Sequence, residues 1–156
     1  MSEPVEVAIE LALLGQAAAF AVSKNLEIAF PNASDNGGPF VAPVETPSAQ
    51  WLRASILPVP TETTGIQYDS HNRHRGYLQI DVLQGIGGGT APLKRICAAI
   101  AAYFPMGLVI TNNGFSIRIE SHTRNQVVAQ GPLMLDGTAW VKIPVTIPYQ
   151  CFAKPA

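Results

Sequence analysis

The sequence predicts an α+β fold, a mixed and mainly antiparallel β-sheet packed against two α-helices. Segments that alternate apolar and polar residues recur along the chain, whereas the three- and four-residue spacing of a helix appears only twice. Asn112-Asn113-Gly114 and Asp136-Gly137 each separate two alternating runs, the position in which such dipeptides close hairpins. The third observation is the stretch Arg75 to Gln84. Leu78, Ile80 and Val82 form a wholly apolar face there, alternating with Tyr77, Gln79, Asp81 and Leu83, as expected of a central strand.

The first helix is expected to run to Lys24, with Ser2 as its cap and Glu3, Pro4 and Glu6 in or near its first turn. At the helical period Glu6, Glu10, Ala17 and Lys24 make one narrow stripe, and apolar residues fill most of the remaining circumference. Such a helix is expected to be nearly surrounded by protein. Leu26 to Phe30 is a short strand, and the turn residues of Pro31 to Pro39 argue against regular structure. Phe40 to Pro47 reads as extended, and Ala49 to Leu57 as a strand. Pro58 to Arg73 is then a long loop, so the two strands around it form an antiparallel ribbon whose tip can reach a neighbour.

After the central strand comes the run Gly85-Ile86-Gly87-Gly88-Gly89-Thr90. Leu93, Ile96, Cys97, Ile100 and Phe104 follow at helical spacing, with Lys94 and Arg95 on the opposite side. Leu108 to Thr111 and Phe115 to Glu120 form the first hairpin, and Gln126 to Leu135 with Thr138 to Gln150 the second. Pro144 and Pro148 cannot donate to a ladder, which places the last strand at a sheet edge.

One domain is the natural count for 156 residues. Charged residues are only 13% of the chain, against roughly 25% in typical soluble domains, while 47% are hydrophobic. A surface so poor in charge implies cover by other subunits. The formal net charge of −1 leaves no basic excess for neutralising phosphates, so any contact with DNA is passive. Glu6, Glu10 and Gln16 interrupt the apolar N-terminal stretch, and no basic segment precedes it, so neither export nor a membrane partner is expected. Cys97 and Cys151 are expected to be reduced thiols.

Candidate chemistry is sparse. A strand, a glycine run and a helix suggest phosphate binding, but no Gly-Lys-Ser/Thr ends the run and Asn112 and Asn113 stand where a ribose-binding acid is sought. The run is expected to be a surface loop without a cofactor. Asp69-Ser70-His71 are consecutive and cannot line up as nucleophile, base and orienting acid. His71 and His74 with Asp69 have no further metal ligand nearby in sequence, since His122 and the two cysteines lie far off, and Cys97 lies on an apolar face as a small hydrophobe. No catalytic, cofactor or metal residue is expected. Arg73 and Arg75 are read as an interface pair, because arginine is enriched in protein contacts. Trp51 and Trp140 are read as core anchors.

The order of these elements, with Arg73-His-Arg-Gly-Tyr-Leu-Gln-Ile-Asp-Val82 at the centre and Val141-Lys-Ile-Pro-Val-Thr-Ile-Pro-Tyr149 near the end, resembles the tail terminator proteins of long-tailed bacteriophages. The resemblance implies a sandwich-like α/β subunit that forms a hexameric ring on the last ring of tail tube, stops tube growth and docks the head connector. The implied partners are further copies of the chain, the tail tube protein and the connector. The implied place is the head-proximal end of the virion tail, after assembly in the host cytoplasm. Arg73, His74, Arg75, Pro144, Pro148 and Tyr149 are the expected subunit or partner interface. Two other readings remain open, another ring protein of the phage neck or tube, such as a head-tail joining protein, and a small enzyme using the glycine loop.

Overall fold

The computed structural model describes residues 4–30, 34–35, 38–39, 48–63, 65, 71–120, 128–129, 133–134 and 140–153. Two helices and one principal sheet make an α+β fold, with the sheet mixed and mostly antiparallel. Helix α1 spans Val5–Ser23 and α2 spans Ala91–Tyr103. The strands of the sheet path are β1 (Glu27–Ala29), β4 (Gln50–Thr63), β5 (Asn72–Gly85), β10 (Trp140–Ala153), β7 (Phe115–Ile119) and β6 (Val109–Asn112), in that spatial order. β8 (Val128–Ala129) and β9 (Leu133–Met134) also pair with β10. Among the described residues only β1 and β4 pair in parallel.

α1 begins after Pro4 without a side-chain cap bond, and the expected cap Ser2 lies outside the described residues. It ends in a Schellman arrangement. Asn25 takes the left-handed conformation at φ 54°, while its N–H donates to the Val22 carbonyl and that of Leu26 to the Ala21 carbonyl. The α1 residues Ile9, Leu13, Ala17 and Phe20 then join Leu93 and Ile100 of α2, and Phe104 just after it, over one face of the sheet. Leu78, Ile80 and Val82 lie beneath, fully buried, with Leu52, Val145 and Ile147 from the adjacent strands. The expected apolar face of the central strand is therefore the core. Fully burying each such side chain contributes about 1.5–3 kcal/mol.

The opposite sheet face has its own small cluster. Trp51, Leu83 and Trp140 pack there, the two indole rings edge to face at 5.9 Å. Nearby, Arg53 lies directly across from Asp81 and donates to its carboxylate at 2.9 and 3.2 Å, while Gln79 Nε2 donates to the other carboxylate oxygen.

Several expectations need correction. Most described residues of the expected Pro58 to Arg73 loop are strand, because β4 continues to Thr63 through an irregularity between Val59 and Glu62, and β5 starts at Asn72. Residues Ser34–Asp35 (β2) and Gly38–Pro39 (β3) form a short antiparallel ladder despite their turn-forming composition. Ala17 does not belong to a polar stripe of α1, since it is fully buried, and the outward side of α1 is apolar instead. The extended reading of Phe40 to Pro47 and the Asp136-Gly137 turn lie outside the described residues.

The edge assignment of Pro144 and Pro148 is also overturned. β10 is an interior strand, paired with β5 along its whole length and with β7, β8 and β9 on its other side. Both prolines are even-numbered, and Glu120 N–H donates to the Pro148 carbonyl, so their backbone groups face β7, β8 and β9 rather than β5. Pro144 falls between the segments paired with β9 and β8, and Pro148 between those paired with β8 and β7. Among the described residues the pairs on that side skip both prolines, so their missing donors fall outside the β5 ladder, which stays intact.

Candidate assembly surface

The far end of the β4–β5 ribbon carries the charged part of the expected interface. Register places Glu62 opposite Arg73, and Arg75 is two residues along on the same face, turned away from the helices. Glu62 accepts hydrogen bonds from both guanidinium groups, from Arg73 and, at 2.8 Å, from Arg75. The hydrogen bond from Arg73, with the charge of both arginines, holds the Glu62 carboxyl below its ordinary pKa. Arg73 Nε and Arg75 Nε are buried without a hydrogen-bond partner among the described residues.

Apolar side chains surround this triad. Tyr77 is paired across the sheet with Leu57 on one side and Pro148 on the other, and Phe152 is paired with Arg73. Leu57, Tyr77 and Phe152 are 48%, 37% and 49% exposed, which makes a mixed apolar and arginine patch of the kind enriched in protein contacts. The sequence reading missed these three residues. The signal was present, since each shares the alternation parity of Arg73 and Arg75, or of a residue paired with them.

The other four expected interface residues are buried within the subunit. His74 points to the helix face, where Nδ1 shares a hydrogen bond with Thr61 Oγ1 at 3.2 Å. Pro144 and Pro148 are buried in β10. Tyr149 is 3% exposed and sits across from Gly76, its hydroxyl pKa pushed up to about 12 by burial and by the neighbouring Cys151. His74 and Tyr149 fall on the helix face because the two-residue alternation of a strand sends neighbours to opposite faces, whereas Pro144 and Pro148 share the face of Tyr77 and are buried there.

A cleft of about 250 Å³ opens between the start of α1 and the ribbon, lined among others by Glu6, Glu10, Ile56, His74, Arg75 and Tyr149. Neither glutamate has an ion-pair partner among the described residues. Cys97 is buried, which pushes its thiol pKa up to about 11, and burial raises Cys151 as well, so both stay protonated and weakly nucleophilic near neutrality. The glycine loop is tied down from below: Gln84, itself buried, donates through Nε2 to the Gly89 carbonyl and accepts from Gln50 Nε2, both at 2.8 Å.

α1 has the length and composition of a membrane-crossing helix, yet 39% of that stretch is buried against the rest of the fold. Its outward line is a second apolar surface, with Val7, Leu11 and Val22 at 37%, 56% and 80% exposure.

Comparison with known proteins supplies a family. A family model described as phage tail terminator protein matches residues 8–149. No curated protein matches the chain. A solved structure whose title carries no functional description is similar in fold, with a TM-score of 0.70 and 22% sequence identity over 97% of this chain and 98% of its own.

Proposed function

The chain belongs to the phage tail terminator family and is a structural protein of the phage tail, and from this we infer that it forms a ring, hexameric in its closed state, at the head-proximal end of the tail tube. There it ends tube polymerisation and presents a docking surface to the head connector. The family match over residues 8–149 carries this reading. Two physical features support it. Charged residues make up only 13% of the chain, and two separate surfaces, the outward line of α1 and the patch around Arg73 and Arg75, expose large apolar side chains. Distinct surfaces suit a cyclic assembly, in which one face of each subunit meets a different face of the next or a partner below or above.

The patch of Leu57, Tyr77 and Phe152 around the two arginines is the surface we assign to the tube or connector protein, because it combines apolar area with partly exposed guanidinium groups. The reaction chemistry of an enzyme has no part in the proposal.

The test is genetic and morphological. Phage lacking this chain are expected to build tails of abnormal length that fail to join heads, seen by electron microscopy. Arg73→Glu with Arg75→Glu is expected to reproduce the joining defect while the isolated subunit stays folded. Tails of normal length attached to filled heads in the complete absence of the chain would overturn the assignment.

A further inference from the structure

We propose that copies of this chain meet through their helices, the outward face of α1 in one copy packing on the outward face of α2 in the next. The inference rests on the ring reading and names the surfaces that close it.

The two faces differ in size and charge in a complementary way. On α1, Val7, Leu11, Ala18 and Val22 recur at helical spacing along the side turned from the core, and the whole helix carries no basic residue. On α2, Ala91, Arg95, Ala98 and Ala102 form the exposed line, with exposed Lys94 beside it, and the helix carries no acidic residue. Large side chains on one helix face small ones on the other, so Leu11 can seat over the alanines and the axes can approach closely. Glu6 and Glu10 border the apolar line of α1 at the same end of the helix as Lys94 and Arg95 occupy in α2. None of these four charges has an ion-pair partner among the described residues.

The contact is heterologous. Each copy uses α1 toward one neighbour and α2 toward the other, the requirement for a closed ring. Within a copy the two helices already touch, Phe20 and Tyr103 packing at 5.4 Å between ring centroids, so the second contact would join the helices of successive copies into one continuous layer.

Native mass spectrometry of the full chain across a concentration series tests this. The wild type is expected to form a closed oligomer. Glu10→Lys or Arg95→Glu alone is expected to raise the half-assembly concentration about tenfold or more, and the two together to restore assembly, since opposite charges are re-paired. Leu11→Asp is expected to leave a folded monomer by circular dichroism. A closed oligomer indifferent to all these changes would overturn the α1–α2 contact and leave the ring reading standing. A wild type that stays monomeric at hundreds of micromolar would count against both. Binding of the wild type to phosphatidylcholine vesicles, abolished by Leu11→Asp, would assign the α1 face to a lipid surface and overturn the proposal.

Discussion

Gly76 of β5 and Tyr149 of β10 are cross-strand partners, and the tyrosine ring end occupies the space that a side chain at 76 would need. A Cβ at position 76 would lie 2.5 Å from the Leu57 carbonyl oxygen and 2.8 Å from the Tyr149 hydroxyl. The glycine here serves close approach rather than an unusual backbone angle.

Gly76→Ala is therefore expected to destabilise the fold by about 1–3 kcal/mol, measured as a lower urea midpoint. Adding Tyr149→Phe removes one of the two obstacles and is expected to recover part of the loss. The backbone carbonyl of Leu57 remains, so recovery is incomplete. A Gly76→Ala midpoint equal to wild type would contradict the geometry.

Ile80 lies in the middle of the core, fully buried on β5 beneath the helices. Ile80→Ala is expected to cost about 2–5 kcal/mol, the transfer of the lost methyl groups plus the cavity left behind. Thermal unfolding should show a clear fall in the midpoint with an unchanged far-ultraviolet spectrum at low temperature.

The Arg53–Asp81 pair is asymmetric, since the arginine side chain is 41% exposed and the aspartate side chain 5%. Removing the arginine strands a buried carboxylate with Gln79 as its one remaining donor among the described residues, whereas removing the aspartate frees a group that water already reaches. Arg53→Ala is thus expected to cost more than Asp81→Asn, by about 1 kcal/mol or more. Equal losses in chemical denaturation would argue that the pair is fully solvated.

Glu62 titrates below its ordinary value because of Arg73 first and Arg75 second. A depressed acid contributes stability above its unfolded pKa, and that contribution is lost as pH falls through the folded value. The expected window lies below the ordinary 4.5. Replacing both arginines with Gln should return the carboxyl toward the ordinary range in an NMR titration and remove that part of the acid sensitivity. An unchanged Glu62 titration would exclude the arginines as the cause.

Much of this protein is legible from residue order alone. Alternation in Arg75 to Gln84 placed Leu78, Ile80 and Val82 in the core, and the spacing of Leu93, Cys97 and Ile100 placed α2 over them, because periodicity and burial are the same constraint. Asn113 and Gly114 gave the hairpin of β6 and β7 through their left-handed angles, φ 49° and 80°.

Tertiary structure alone decided the rest. Pro144 and Pro148 carry the local mark of an edge, yet β10 is interior, because both prolines turn their missing donors away from the β5 ladder and toward the side of β7, β8 and β9. The neighbours Arg73, His74 and Arg75 look alike as an interface, but the pleat exposes the arginines and buries the histidine. The apolar circumference of α1 announced burial without saying by what. Packing accounts for one side, through Leu13, Ala17 and Phe20, and leaves Val7, Leu11 and Val22 facing outward, because a helix on one face of a sheet can bury only the half of its surface that the sheet and its neighbouring helix reach.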